Sequence, residues 1–258
     1  MPLRGLLISF WTILRKDLVR IFRIWPQTFL PSIVTSVLYF LIFGAFLGSR
    51  IGDLEGVPYI LFVVPGMVML AIMMNAYNNV SFSFFSSKFF MRTIDEILVS
   101  PTPPWVIIAG FVMGGVVRGV LIGLLVLIVS LFFTHLTLFN ILVIILFFFL
   151  SSLIFSLAGL VNGVYAKSID GINIVPTFIL TPLIYLGGIF YSIHTLPGFW
   201  QTISQFNPVF YLIDGFRYGF LGFSDVPLMT SIAILLSLTA LLIGIALYLI
   251  KTGLGLRQ

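Results

Sequence analysis

Six long apolar blocks, roughly 29–48, 59–82, 105–133, 139–162, 172–192 and 226–250, fill most of this chain. A helix needs about 20 apolar residues to cross a hydrocarbon core about 30 Å thick, and every block is long enough. Lipid offers no partner for a free amide, so the backbone of each block has to be helical. Charge points the same way. Only 8% of the 258 residues are charged and 60% are hydrophobic. A soluble domain carries about 25% charged residues, and a globule of this size could not cover so much apolar surface. The blocks therefore predict an all-α integral membrane protein with six transmembrane helices.

Lys and Arg set the orientation. Before the first block, Leu3, Leu7, Phe10, Leu14, Leu18, Ile21 and Trp25 recur at helical spacing, with Arg15, Lys16, Arg20 and Arg23 among them. Residues 1–28 thus predict an amphipathic interfacial helix, too charged to span, with its basic face toward anionic headgroups and Pro26 as its stop. No small-residue cleavage site follows a short apolar core here, so the segment does not read as a removed signal peptide. With six crossings, ten of the 13 basic residues share one side: Arg4, Arg15, Lys16, Arg20, Arg23, Lys88, Arg92, Lys167, Lys251 and Arg257. The positive-inside rule makes that side, and both termini, cytoplasmic. The net charge of +5 is then a topology signal, and it calls for no nucleic-acid partner.

Residues 192–225 tempt a seventh span, but it would hold Asp214 and Arg217 in lipid and place Lys251 and Arg257 outside. Two short segments re-entering the outer leaflet and covered by protein fit better. Within the blocks, Asn75 and Asn79 share a helix face and Asn78 widens it into a polar stripe. Such amides face protein or a wet path. Interhelical bonding and contact with a transported substrate both remain open for them. Arg118 sits in the third block about 20 Å beyond Trp105 along an ideal helix, where the second block's asparagines are its expected neighbours. Gly115, Gly119 and Gly123, extended by Gly110 and Gly114, form a ladder that lets another helix approach closely. Pro176 and Pro182, followed by Gly187 and Gly188, predict a kinked fifth span.

Several chemistries find no residues. There is no cysteine, and His135 and His194 make no metal cluster. No phosphate-cradling G-x-x-x-x-G-K-[ST], no H-E-x-x-H and no G-x-S-x-G occurs. No acidic residue lies in any block, which argues against a proton-coupled carrier and simple cation conduction. The chain does not read as an enzyme, and it carries no cofactor of its own.

The stretch FMRTIDEILVSPTPPW interrupts the apolar sequence with Arg92, Asp95 and Glu96 and a run of prolines. Within the loop 83–104, Lys88 and Arg92, and then Arg92 and Glu96, stand four apart. A short rigid helix across the cytoplasmic face fits, able to take a push from a partner and pass it to the second and third spans.

Here the chain resembles the ABC-2 type permeases, the membrane subunits of ATP-binding-cassette exporters. The resemblance lies in RIWPQTFLPSIVTSVLYFLIFG, FVVPGMVMLAIMMNAYNN, FFSSKFFMRTIDEILVSPTPPWVIIAG, SLAGLVNGVYAKSID and VPTFILTPLIYLGGIFYSIHTLPGFWQTISQFNPVFYLIDGFRYGFLG. It extends to bacterial inner-membrane transport permeases along nearly the whole chain. It implies a six-helix domain over 29–258, a coupling loop at 83–104 carrying Lys88, Arg92, Asp95 and Glu96, and a connecting helix bearing Arg15, Lys16, Arg20 and Arg23. It implies a second permease copy in a homodimer, and two cytoplasmic ATPase subunits that bind ATP and Mg. Membrane lipids surround the dimer. Asn75, Asn78, Asn79 and Arg118 are the candidates for the translocation path. A lipid or glycolipid flippase of the same architecture, a non-transporting membrane scaffold and a channel are the rival readings.

Overall fold

The computed structural model of the chain describes residues 2–255; Arg257, counted above in the basic tail, lies outside them. Helix α1 covers Leu3–Arg23 and buries Ile13, Leu14, Asp17 and Ile21 on one face. Its end differs from the expected one. The chain bends at Ile24, and Trp25 and Pro26 open the next helix, α2 (Trp25–Ile51). Proline suits a first helical turn, where its missing N–H has no partner to lose. Residues Phe40–Leu47 of α2 are π-helical. A two-stranded hairpin, β1 (Asp53–Leu54) and β2 (Val57–Pro58), leads into α3 (Tyr59–Phe89). Then come α4 (Thr93–Val99), α5 (Pro104–Ser130) and α6 (Ile141–Tyr165). The remaining helices are α7 (Ile169–Tyr185), α8 (Gly198–Phe206), α9 (Pro208–Leu221) and α10 (Leu228–Thr252).

Among the described residues, five helices are long and apolar enough to cross a membrane: α2, α3, α5, α6 and α10. The fifth apolar block is shorter than expected, because α7 stops at Tyr185. Its middle, Pro176–Leu180, is π-helical, and Thr181 Oγ1 donates to the Pro176 carbonyl at 2.8 Å. Gly187 and Gly188 follow, and Gly188 has φ of +80°, which glycine alone adopts freely.

The core is built around α3. Val64, Val68, Met69, Ile72, Met73, Val80 and Phe84 have almost no exposure. The glycine ladder of α5 serves two neighbours. Gly115, Gly119 and Gly123 admit Ala76, Val80 and Ile72 of α3 together with side chains of α6, while Gly110 and Gly114 admit Ile13 and Asp17 of α1. Between α3 and α6 the backbones nearly touch: a Cβ on Gly159 would collide with the Tyr77 carbonyl oxygen. Dispersion over such a contact is what holds helices together where lipid removes the hydrophobic drive. Asn162 ties a third helix in, donating to Ser81 Oγ of α3 at 3.0 Å and to the Ile172 carbonyl of α7 at 2.9 Å.

Both described ends of the chain gather at one end of the bundle. Here α1 lies beside the first half of α5, α4 follows α3, and Lys88 near the C-terminus of α3 donates to the Gly255 carbonyl just past α10. The short helices α8 and α9 sit at the opposite end. Asn207 donates to the Leu183 carbonyl and Arg217 to the Gly188 carbonyl, and α9 packs Gly215 and Gly219 against Phe147 and Ile144 of α6. After α9 the chain doubles back, so that the Asp225 and Val226 amides donate to the Asp214 carboxylate at 2.9 and 3.4 Å.

Candidate functional site

A charged cluster joins α1 to the bundle. Asp17 is 1% exposed, in the middle of a helix that otherwise buries only apolar side chains. Ser83 Oγ donates to its Oδ1 at 2.5 Å, and Arg20 stands 3.4 Å away, one turn along α1. Arg20 Nη2 also donates to Asn79 Oδ1 at 2.9 Å, and Arg118 Nη1 reaches the same oxygen at 3.4 Å. One amide of α3 thus bridges a guanidinium from α1 and one from α5. Lys16 extends the cluster by donating to Ser87 Oγ at 2.7 Å and to Thr93 Oγ1 at 3.5 Å. Burial pushes the Asp17 carboxyl upward against the pull of Arg20 and Ser83, and burial lowers the Lys16 ammonium although Asp17 opposes it. Asp17 Oδ2, Asn79 Nδ2 and Arg118 Nε are buried without a partner among the described residues. A cluster with spare donors and a spare acceptor can re-pair when its helices shift, whereas a saturated one locks them.

Asp17 is the residue that sequence reasoning missed. The signal existed: Ile13, Asp17 and Ile21 repeat every four residues on the buried stripe of α1. Arg118 pairs with an asparagine as expected. Its depth is smaller than the distance from Trp105 suggests, because α1 lies alongside Gly110 and Gly114, leaving Arg118 about 6 Å, one turn, beyond that contact. The three asparagines do not act as one buried stripe. Asn79 is buried, Asn75 is half-buried and donates to Ser32 Oγ at 3.4 Å, and Asn78 is exposed.

Residues 83–104 are not one loop. Helix α3 continues to Phe89, so Lys88 belongs to its last turn, and α4 begins only at Thr93. Arg92 between them is left-handed, with φ of 50°. That break rules out the i,i+4 spacings of Lys88 with Arg92 and of Arg92 with Glu96, which require continuous helix. Lys88 is buried, its ammonium donating to the carbonyls of Val164 and Gly255. Helix α4 is anchored by Ile94, packed with Phe84, Ile107 and Phe111, while Arg92, Asp95 and Glu96 face outward. On either side of α4 the surface is concave. A groove of about 420 Å³ separates it from α1, lined by Ile8, Thr12, Lys16, Glu96 and Thr102. A cleft of about 670 Å³ separates it from the end of α10, lined by Lys88, Arg92, Asp95 and Lys251. Arg15, Lys16, Arg20 and Arg23 border a further cleft of about 550 Å³ with Trp11 and Met91.

A helical bundle with a basic helix docked near a short exposed helix is an arrangement that can receive force from a partner. Comparison with known proteins decides the class. The family model for the ABC-2 type transporter matches residues 8–221. This chain belongs to the ABC-2 type transporter family. The inner membrane transport permease YadH of Escherichia coli K12 is 50% identical over 250 residues, covering 97% of this chain and 96% of that protein. Nodulation protein J of Rhizobium leguminosarum bv. viciae is 29% identical over 205 residues, covering 77% and 78%. Nodulation protein J of Rhizobium meliloti is 25% identical over 202 residues, covering 77% of each. The chain is therefore a multi-pass inner-membrane transport permease, and its family implies an ATP-binding-cassette ATPase as partner.

Proposed function

We propose that this permease is the membrane subunit of an exporter driven by ATP and Mg bound on a separate ATPase chain. One observation carries the reading. The α1 helix and the α4 helix face each other across a groove at the end of the bundle where both described chain ends meet, bridged by Lys16 to Thr93 at 3.5 Å and, just past α4, by Thr102 to Ser9 at 3.3 Å. An ATPase that engages both can move them together. Arg92, Asp95 and Glu96 present charge to it, Lys88 fastens the segment to α6 and α10, and the Asp17 cluster passes displacement to α3 and α5. In this reading that end is cytoplasmic, residues 1–28 lie in the interface and 29–258 form the membrane domain. The segment at α7 completes a sixth crossing, since it starts beside Phe85 of α3 and ends near Tyr59, whose hydroxyl donates to the Phe190 carbonyl at 3.0 Å. The 192–225 segment re-enters from outside, which the return of Asp225 to Asp214 supports. Two permease copies and two ATPases make the working complex, with the translocation path bordered by Asn75, Asn78, Asn79 and Arg118.

Reconstitution of the permease with its ATPase in vesicles tests the reading. Glu96→Lys should leave abundance unchanged and lower either ATPase retention or the ATPase response to substrate. Purification without an ATPase, together with no effect of this chain on ATP hydrolysis, would favour a scaffold.

A further inference from the structure

We propose that the turn joining α9 to α10 is a latch on the outward-facing end of the protein, held shut more firmly as the medium there becomes acidic. The inference goes beyond the permease reading and takes from it only the outward placement of this end.

Gly222, left-handed with φ of +79°, ends α9 and lets the chain reverse. Two fastenings hold the reversal. Asp214 of α9 is 1% exposed, and its two carboxylate oxygens accept the Asp225 and Val226 amides, one each. The Asp225 carboxylate in turn stands 3.3 Å from Nε2 of His194, which lies exposed in the short Ile193–Thr195 helix beyond α7. Asp225 is thus tied to α9 by its amide and to the segment after α7 by its side chain. Leu228, three residues on, opens α10, so these ties set where the outer end of the last span sits.

Both fastenings respond to acid in the same direction. Only a protonated imidazole makes an ion pair with Asp225; a neutral one offers at most a plain hydrogen bond. A proton on His194 therefore tightens that tie. Burial raises the Asp214 carboxyl to about 6, although the Asp225 amide, Arg217 and the Val226 amide pull it down. Opening the turn would return Asp214 to water and toward 3.8. The closed turn thus holds this proton more tightly than the open one, and falling pH favours closure. Few other groups intervene. Arg217, one turn further along α9, is 2% exposed, donates to the Gly188 carbonyl and lies over the Phe62 ring at 3.7 Å. Glu55 of the hairpin is a further acid acting on Arg217. Tyr59 of α3 and Tyr191 are phenols, uncharged in this range. His135, in the α5–α6 connection that packs on the end of α9, is exposed and in no ion pair among the described residues. Helices α6 and α8 and the first turns of α10 bring no charged side chain.

A nitroxide on Ser224→Cys, the residue before Asp225, tests this in the full-length permease, whose chain has no other cysteine. In right-side-out membrane vesicles buffered at pH 7.5 inside, the ratio of mobile to immobile label should fall about tenfold as the external pH drops from 7.5 to 5. That is the shift given by one group near 6 in the closed turn and near 3.8 in the open one. Asp214→Asn keeps an acceptor without the charge, so its label should be as immobile at pH 7.5 as the parent's is at pH 5. His194→Gln removes only the second fastening and should shrink the response. A spectrum unchanged by pH, mobility that rises in acid, or a parent-like response in Asp214→Asn overturns the latch. Should that variant not fold, a parent-like response in His194→Gln, altered at an exposed position, overturns it alone. A response to internal acid only would uphold the latch and remove the outward placement of this end.

Discussion

Replacing Asp17 with alanine probes the joint between α1 and the membrane helices. The Ser83 bond to a buried carboxylate is worth ~1.5–3 kcal/mol. Arg20 keeps 26% of its side chain exposed, so its pairing adds only ~0.5 kcal/mol after solvent screening. Against these, removing Asp17 Oδ2, which has no donor, returns ~1 kcal/mol of desolvation. The net is ~2 kcal/mol, about a thirtyfold shift in the docking of α1 at 1.4 kcal/mol per tenfold. The chain has no cysteine, so one introduced at Ile13, which is 7% exposed and packed on Gly110, gives a single reporter. Labelling of Ile13→Cys by an impermeant maleimide in inverted vesicles should accelerate about thirtyfold when Asp17 becomes alanine, in line with that opening equilibrium. An unchanged rate, with the protein still folded, would refute the claim that Asp17 fastens α1.

Acidity should act on the same residue. Burial raises the folded Asp17 pKa above 3.8, so between 3.8 and the folded value the folded protein binds more protons than the unfolded one. Stability therefore rises as pH falls through that window, and Asp17→Asn should remove this component from thermal unfolding profiles in detergent. Gly159→Ala drives a Cβ into the Tyr77 carbonyl oxygen; the forced separation of α3 and α6 should cost about 1–3 kcal/mol and lower the midpoint of thermal unfolding. Arg92→Gly, which accepts the left-handed φ of 50°, should stabilise the α3–α4 turn by about 1 kcal/mol while weakening ATPase contact, read as stability and ATP turnover moving in opposite directions.

Long, evenly apolar segments were the legible part of the fold, because a span depends on summed hydrophobicity and tolerates errors of several residues. The ladder of glycines was equally readable, since close approach needs small residues wherever it occurs. Local breaks were harder. Nothing in the composition of Arg92 announces a left-handed residue, and α3, buried on most of its sides, has no amphipathic stripe whose end would mark its stop at Phe89. Pro26 reads as a stop or a start by the same chemistry, and only the direction of the following helix decides. The candidate site was half visible. Asn79 and Arg118 stand out in apolar blocks, but Asp17 hides among the many charges of α1, and its partner Ser83 is an ordinary serine in a run of them. Burial of a charge is a tertiary fact, and it emerges only when α1 is laid against Gly114.

The central claim is that α1 and α4 form the surface gripped by a nucleotide-driven ATPase. A photoreactive side chain substituted at Glu96, activated in living cells that hold both proteins, tests it most directly. The account predicts a covalent adduct between this permease and the ATPase that strengthens when ATP is trapped unhydrolysed. Modification of that position by an impermeant reagent added outside intact cells would contradict it.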